Sequence, residues 1–236
     1  MWLFTLYTQP SGWVFFIIIK FISYINEFKE VVSMQDNNPE KIESKSMKII
    51  EKELNQLKGS EREKQVIKRV IHATADLNLV DKVKLSPDGI NQLRSLIESG
   101  ADIITDVNML KAGINTNKLK EYGGQLKCYI ADQQIREEAK KTGLTRSIMS
   151  MRKAVKEPGK KVFAIGNAPT ALFELIRLNQ EENIQIDFIV GTPVGFVGAA
   201  ESKDKLIASD IPHISLQGRK GGSAVAASII NSILYM

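Results

Sequence analysis

An α/β sandwich, with about five mostly parallel strands behind an N-terminal helical segment, is the fold class that three features of the sequence predict. Short apolar runs occur at 103–107, 126–130, 162–165, 186–190 and 213–216. Each is long enough for a strand and too short for a helix. Between them lie stretches of helical character, "ADQQIREEAKKTG", "APTALFELIRLNQEEN" and "VGAAESKDKLIASD". Strands alternating with helices build βαβ units, whose parallel sheet is covered on both faces to give three layers. The third feature is that Gly, Pro, Asn and isolated charges gather in the segments after the apolar runs, where such sheets bind ligands.

The chain has 236 residues, 43% apolar and 25% charged, the size and composition of one sizeable soluble domain. Residues 1–33 stand apart. Their run "WVFFIIIKFISYI", 13–25, is too short for a membrane span and is interrupted by Lys20. A positive start and a small-residue cleavage site, the marks of a signal peptide, are missing. Met34 then opens "QDNNPEKIES", wording ordinary for a soluble protein. Residues 1–33 are therefore expected to be an apolar extension outside the fold that arises from an upstream misread start, with a membrane-surface anchor as the other reading, and 34–236 to be the α/β domain.

From Pro39, the residues Ile42, Met47, Ile49, Ile50 and Leu54 recur near helical spacing, and Gly59 closes that helix. Ser60, with Glu63 three residues on, spells a capping box. It opens a second helix whose Val66, Ile67, Val70 and Ile71 lead up to His72. A third helix opens in "SPDG", 86–89, and runs to Gly100. The βαβ region follows.

The segments after the five apolar runs are, in order, "TDVNMLKAG", "ADQQ", "GNAPT", "GTPVGFVGAAESK" and "QGRKGGS". None carries G-x-G-x-x-G or G-x-x-x-x-G-K-[ST], so the common dinucleotide and phosphate loops are excluded. They still suit anions. Gly221 and Gly222 precede the small-residue helix "SAVAASIINSIL", so free N–H groups and the positive helix end face a loop that also holds Arg219 and Lys220. "GLTRS", 143–147, sets Thr145, Arg146 and Ser147 at another helix start, where Arg can fork onto a carboxylate. Either loop alone fits ordinary capping and solvated charge; both on one edge favour a ligand with several negative groups.

The net charge of +5 is modest, and no dense Lys/Arg block with interleaved aromatics marks a nucleic-acid surface. One cysteine, Cys128 in "LKCYI", excludes an internal disulfide framework, and with two histidines there is no metal-ligand cluster. The histidines pose the sharper question. His72 lies in "RVIHATAD", 69–76, beside Ile and Val, where packing is the ordinary role of imidazole. It is also the side chain best suited to move a proton near neutrality. His213 opens a strand and reads as structural.

Taken together and in order, "RVIHATAD", "TDVNMLKAGI", "TRS", "IGNAPTALFEL", "GTPVGFVGAAESK" and "GRKGGSAVAASIIN" closely resemble the precorrin-8X methylmutases of cobalamin biosynthesis. The likeness runs from about Glu40 to the C-terminus and leaves residues 1–33 uncovered. It implies a flavodoxin-like fold, a cytoplasmic homodimer and no metal or organic cofactor. It implies an isomerase that moves a methyl group from ring carbon 11 to ring carbon 12 of precorrin-8X or cobalt-precorrin-8, formally a 1,5-sigmatropic shift, giving hydrogenobyrinate or its cobalt counterpart. The acetate and propionate arms of that substrate would occupy anion-binding loops built without phosphate motifs. The resemblance makes His72 the proton donor to the macrocycle and carries substrate contact over to Ser46 and Arg69, with Arg146, Ser147 and Arg219 as carboxylate partners. Spacing of three residues puts Arg69 and His72 on one helix face. The chain departs from many relatives at Ala75, where they have glycine. Two other classes compete: a corrinoid carrier without catalysis, against which an intact His72 argues, and a nucleotide-dependent α/β enzyme, against which the missing phosphate loops argue.

Overall fold

The computed structural model describes residues 38–54 and 57–236, so the expectation for residues 1–33 falls outside the described residues. The chain divides into two units, Met1–Lys48 and Ile49–Met236. Helix α1 (Pro39–Glu53) spans the boundary, and the second unit carries the sheet.

Six strands form that sheet: β1 (Val83–Leu85), β2 (Asp102–Thr105), β3 (Leu126–Lys127), β4 (Lys161–Ile165), β5 (Phe188–Gly191) and β6 (His213–Leu216). Their spatial order is β1-β6-β5-β4-β2-β3. All five expected strands are present: β2, β3 and β5 are shorter than their apolar runs, β4 begins one residue earlier, and β6 matches its run. Setting β1 aside, the order is 2-1-3-4-5 in chain sequence, the flavodoxin-like arrangement, with all of its pairs parallel. The switch point, where the winding direction reverses, lies between β2 and β4.

The sequence reading of about five strands is short by one. Strand β1 is three residues long, half-buried, and paired antiparallel to β6 with Val83 opposite Leu216. Two apolar residues around a lysine give too brief an alternation to read as a strand. The omission matters for the site. Because β1 runs antiparallel, its start lies at the carboxyl ends of the other strands, and so does the segment that feeds it. That segment is the end of α2 (Glu61–Thr74) followed by a 3-10 turn over Leu77–Lys82. The Gln217 N–H donates to the Lys82 carbonyl at 2.8 Å and fixes the approach.

Alternate strand residues face opposite layers, as the period of two requires. Ile103, Val162, Ala164, Phe188, Val190 and Ile214 pack with α2, α3 (Gly89–Glu98), α4 (Asn108–Gly113) and α10 (Ser223–Leu234). Ile104, Phe163, Ile165 and Ile189 pack with α7 (Arg146–Val155), α8 (Pro169–Glu182) and α9 (Ala199–Ile207). Helices α5 (Thr116–Glu121) and α6 (Gln133–Thr142) complete the layers. The Ser60 capping box forms as its spelling predicts: Ser60 accepts from the Glu63 N–H, and Glu63 accepts from the Ser60 N–H at 2.6 Å. His213 is 4% exposed, with Nδ1 2.7 Å from the Ile211 carbonyl. Burial lowers its pKa, so it sits neutral in the core, the structural role its strand position suggested.

Candidate active site

The carboxyl ends of the parallel strands carry their loops to one edge, and specific bonds tie those loops into a continuous rim. At the switch point stands Asp106, just after β2 and fully buried. Its carboxylate accepts from the N–H groups of Gly166, Asn167 and Ala168 at 3.1, 2.8 and 2.7 Å. Burial raises its pKa, and the three amides oppose that rise. This residue was missed in the sequence, although an acid directly after an apolar strand was a signal for it.

The turn held by Asp106 opens α8, whose N-terminus has no side-chain cap. Next to it begins α7: Thr145 caps that helix by accepting from the Ile148 N–H, and its hydroxyl also meets the Thr170 hydroxyl at 3.3 Å. Exposed Arg146 and half-buried Ser147 therefore stand at paired helix starts. The loop after β5 follows. A Cβ placed at Gly198 would rest 3.4 Å from both Pro169 and Phe173, so this loop lies directly on the start of α8. Gly198 then opens α9, again with no side-chain cap.

The loops after β5 and β6 are bonded to each other. The Gly195 N–H donates to the Arg219 carbonyl at 3.1 Å, and the Gly222 N–H to the Thr192 carbonyl at 2.8 Å. Glycine is required at 221, where a Cβ would collide with the Thr192 carbonyl oxygen. Below them is Lys203 on α9, fully buried, donating from Nζ to the Lys220 carbonyl at 2.6 Å. Burial pushes its pKa down to about 8, against the pull of neighbouring Asp204. Lys220 also reaches outward from the loop, and its ammonium pairs with the Asp76 carboxylate. That contact lowers the Asp76 pKa first of all, with Asn78 adding a second bond. It joins "GRKGGS" to "RVIHATAD".

His72 occupies the last turn of α2 and is exposed, so the packed role is overturned for it and belongs to His213 instead. Val66, Ile67, Val70 and Ile71 fill the core side of α2, leaving Arg69, half-buried, and His72 on the outer face that the spacing predicted. The helix closes at Ala75, which adopts φ 52°, ψ 28° and donates its N–H to the Ile71 carbonyl. A left-handed cap is the conformation that glycine adopts without strain. Ala75→Gly is expected to stabilise the fold by about 1 kcal/mol, read as a higher urea midpoint; an unchanged midpoint would mean the cap is unstrained.

The structure thus brings Arg219, Lys220 and the end of the His72 helix together through Asp76, and brings Arg146 and Ser147 to the same rim through α8. Ser46 lies in the first unit, where its hydroxyl donates to the Ile42 carbonyl at 3.0 Å. The rim can hold anions in two ways: uncapped N–H groups at α9 and α10 and the exposed guanidinium groups of Arg146 and Arg219. It also has an apolar surface, unnoticed in the sequence. Met109, Phe196 and Val197 are 76%, 86% and 89% exposed in the loops after β2 and β5. Carboxylate-binding groups beside bare apolar side chains suit a flat, apolar ligand fringed with acids. The cavity of about 950 Å³ beside β1, lined by Leu57, Ile67, Val80 and Leu85, includes none of the six expected site residues.

Residues 41–236 match the family model described as Precorrin-8X methylmutase. A cobalt-precorrin-8 methylmutase of Priestia megaterium is 44% identical, over 83% of this chain and 87% of that protein. One from Salmonella typhimurium is 42% identical, over 84% of this chain and 95% of its own length. A precorrin-8X methylmutase of Sinorhizobium is 34% identical over 81% of this chain and 92% of that protein. The crystal structure of precorrin-8x methyl mutase from Thermus thermophilus superposes with a TM-score of 0.77 at 29% identity, covering 83% of this chain and 95% of that one. With that agreement in sequence and fold, the chain belongs to the precorrin-8X methylmutase family.

Proposed function

We propose that this chain is an isomerase of cobalamin biosynthesis that moves a methyl group from ring carbon 11 to ring carbon 12 of precorrin-8X or cobalt-precorrin-8, with His72 as proton donor. The observation that carries the reading is an exposed histidine at the rim where the carboxylate-binding loops converge. Protonation of the macrocycle makes the ring carbon that receives the methyl group electron-poor, the methyl migrates to it with its bonding pair, and the proton returns to His72 as the rearranged conjugation forms, so that substrate and product are isomers. Arg69 shares the outer face of α2 with His72, and Arg146, Ser147 and Arg219 take acetate and propionate arms. Ser46 is assigned to substrate on the family resemblance alone. The same resemblance implies a cytoplasmic homodimer, whose mass sedimentation velocity reads directly.

The test is the absorption spectrum of the protein incubated with the metal-free and the cobalt-containing substrate. Conversion of either supports the isomerase; binding with no conversion of both would leave the corrinoid carrier as the correct reading. The higher identity to the Priestia and Salmonella relatives than to the Sinorhizobium one favours the cobalt form as substrate. Arg146→Ala and Arg219→Ala are each expected to weaken substrate binding by about 1.5–3 kcal/mol and to make it less sensitive to salt. Titration at low and high ionic strength checks this, and unchanged affinity in both variants would remove the carboxylate clamp.

A further inference from the structure

A lysine with no exposed surface is expensive to keep, because burial penalises its charge and a methionine would fill the same space at no such cost. Lys203 spends its ammonium on one main-chain oxygen, the carbonyl of Lys220, at 2.6 Å. Lys220 is therefore held at both ends. Its carbonyl is gripped from beneath by α9, and its side chain is paired with Asp76, four residues beyond His72. Asp76 is itself fixed, accepting from the Asn78 N–H at 3.1 Å and from its side-chain amide at 3.0 Å. Arg219, the residue before, has its carbonyl held by the Gly195 N–H. The loop is anchored on three sides, and one anchor is the end of the His72 helix.

We propose that Lys203, Lys220 and Asp76 form a positioning chain that fixes the Arg219-bearing loop against the His72-bearing helix end. This deepens the reading of the rim as the corrin site and rests on it. None of the three needs to touch the reacting carbons; each acts through the groups it places. A misplacement of about 1 Å between a binding group and a reacting group can cost a hundredfold in rate, so a chain of two contacts linking them is a direct lever on turnover.

Asp76→Asn separates positioning from simple charge. On charge alone, removing this carboxylate frees Lys220 and takes a repelling anion from the rim, so a polycarboxylate ligand should bind more tightly. A positioning role demands the reverse: weaker product binding and a single-turnover rate reduced about tenfold or more. Asp76 lies near the surface, so the variant should melt with the parent protein. Lys203→Met tests the buried end. It should reproduce the Asp76→Asn defect, and the double variant should be no worse than the poorer single one, because one chain broken twice is still one broken chain. Asp76→Glu, which can still reach Lys220, should recover most of the rate.

Tighter or unchanged product binding with normal rates in Asp76→Asn overturns the chain, and so does full additivity of the two defects. These outcomes are separable from failure of the functional reading. If His72→Ala turns over normally, His72 is not the proton donor, yet the Asp76–Lys203 coupling is still read in product affinity. If His72→Ala is inactive while Asp76→Asn behaves as the parent, the site reading stands and the chain falls.

Discussion

His72→Ala is expected to slow methyl migration about a hundred- to ten-thousand-fold, the contribution of a general acid, while leaving corrin binding largely intact. His72 is exposed in the last turn of α2, and the core side of that helix is filled by Val66, Ile67, Val70 and Ile71. Removing the imidazole therefore opens no cavity, and stability should move by no more than about 0.5 kcal/mol. His213→Ala is the control with opposite signs. That histidine is 4% exposed and bonded at Nδ1, so its loss empties a buried site and leaves the Ile211 carbonyl without its partner. The expected result is a lower melting temperature and near-normal turnover in whatever protein stays folded. Melting temperature, product affinity and single-turnover rate, measured on the same two preparations, decide the roles. Near-normal turnover in His72→Ala would end its assignment as proton donor.

The sequence was legible where the signal was local. Five strands, the Ser60 capping box and the helix starts at Arg146 and Ser223 all depend on residues within a few positions of each other, through apolar period or through Gly, Ser and Thr at the ends. Arg146 and Arg219 could be singled out because glycine and threonine punctuate the loops that carry them. What was hidden depended on pairing across the chain. Asp106, directly after an apolar strand, was marked only by its position, and its role shows only when the Gly166 N–H, 60 residues away, is seen to point at it. Lys203 reads as the polar side of an amphipathic helix, because its partner is a main-chain carbonyl 17 residues on. The Asp76–Lys220 pair spans 144 residues, and it is this pair, with the unread strand β1, that turns the His72 segment toward the other loops. Ser46 had no local signal of its own, and only family resemblance named it.

Asp106→Ala is expected to be the most damaging substitution for the fold. Among the described residues, its carboxylate is the acceptor for the N–H groups of Gly166, Asn167 and Ala168, and Asp106 itself is fully buried at the point where the sheet changes winding direction. An alanine would orphan all three. Each buried donor left without a partner costs about 1–3 kcal/mol, and relaxation of the turn, together with solvent at exposed Asn167, recovers part of the total, so a net loss of about 3–5 kcal/mol is expected. A domain of ordinary stability has about 5–15 kcal/mol in all, so the variant should stand close to unfolding and show a sharply lower urea midpoint. Asp106→Asn keeps the shape and one acceptor oxygen, but turns an NH2 toward at least one backbone donor, and should fall between parent and alanine. The same order should appear in turnover, since the turn that Asp106 holds opens α8 beside Arg146. If the alanine variant unfolds within about 1 kcal/mol of the parent, water has taken the place of the carboxylate, and Asp106 is not what holds the switch point together.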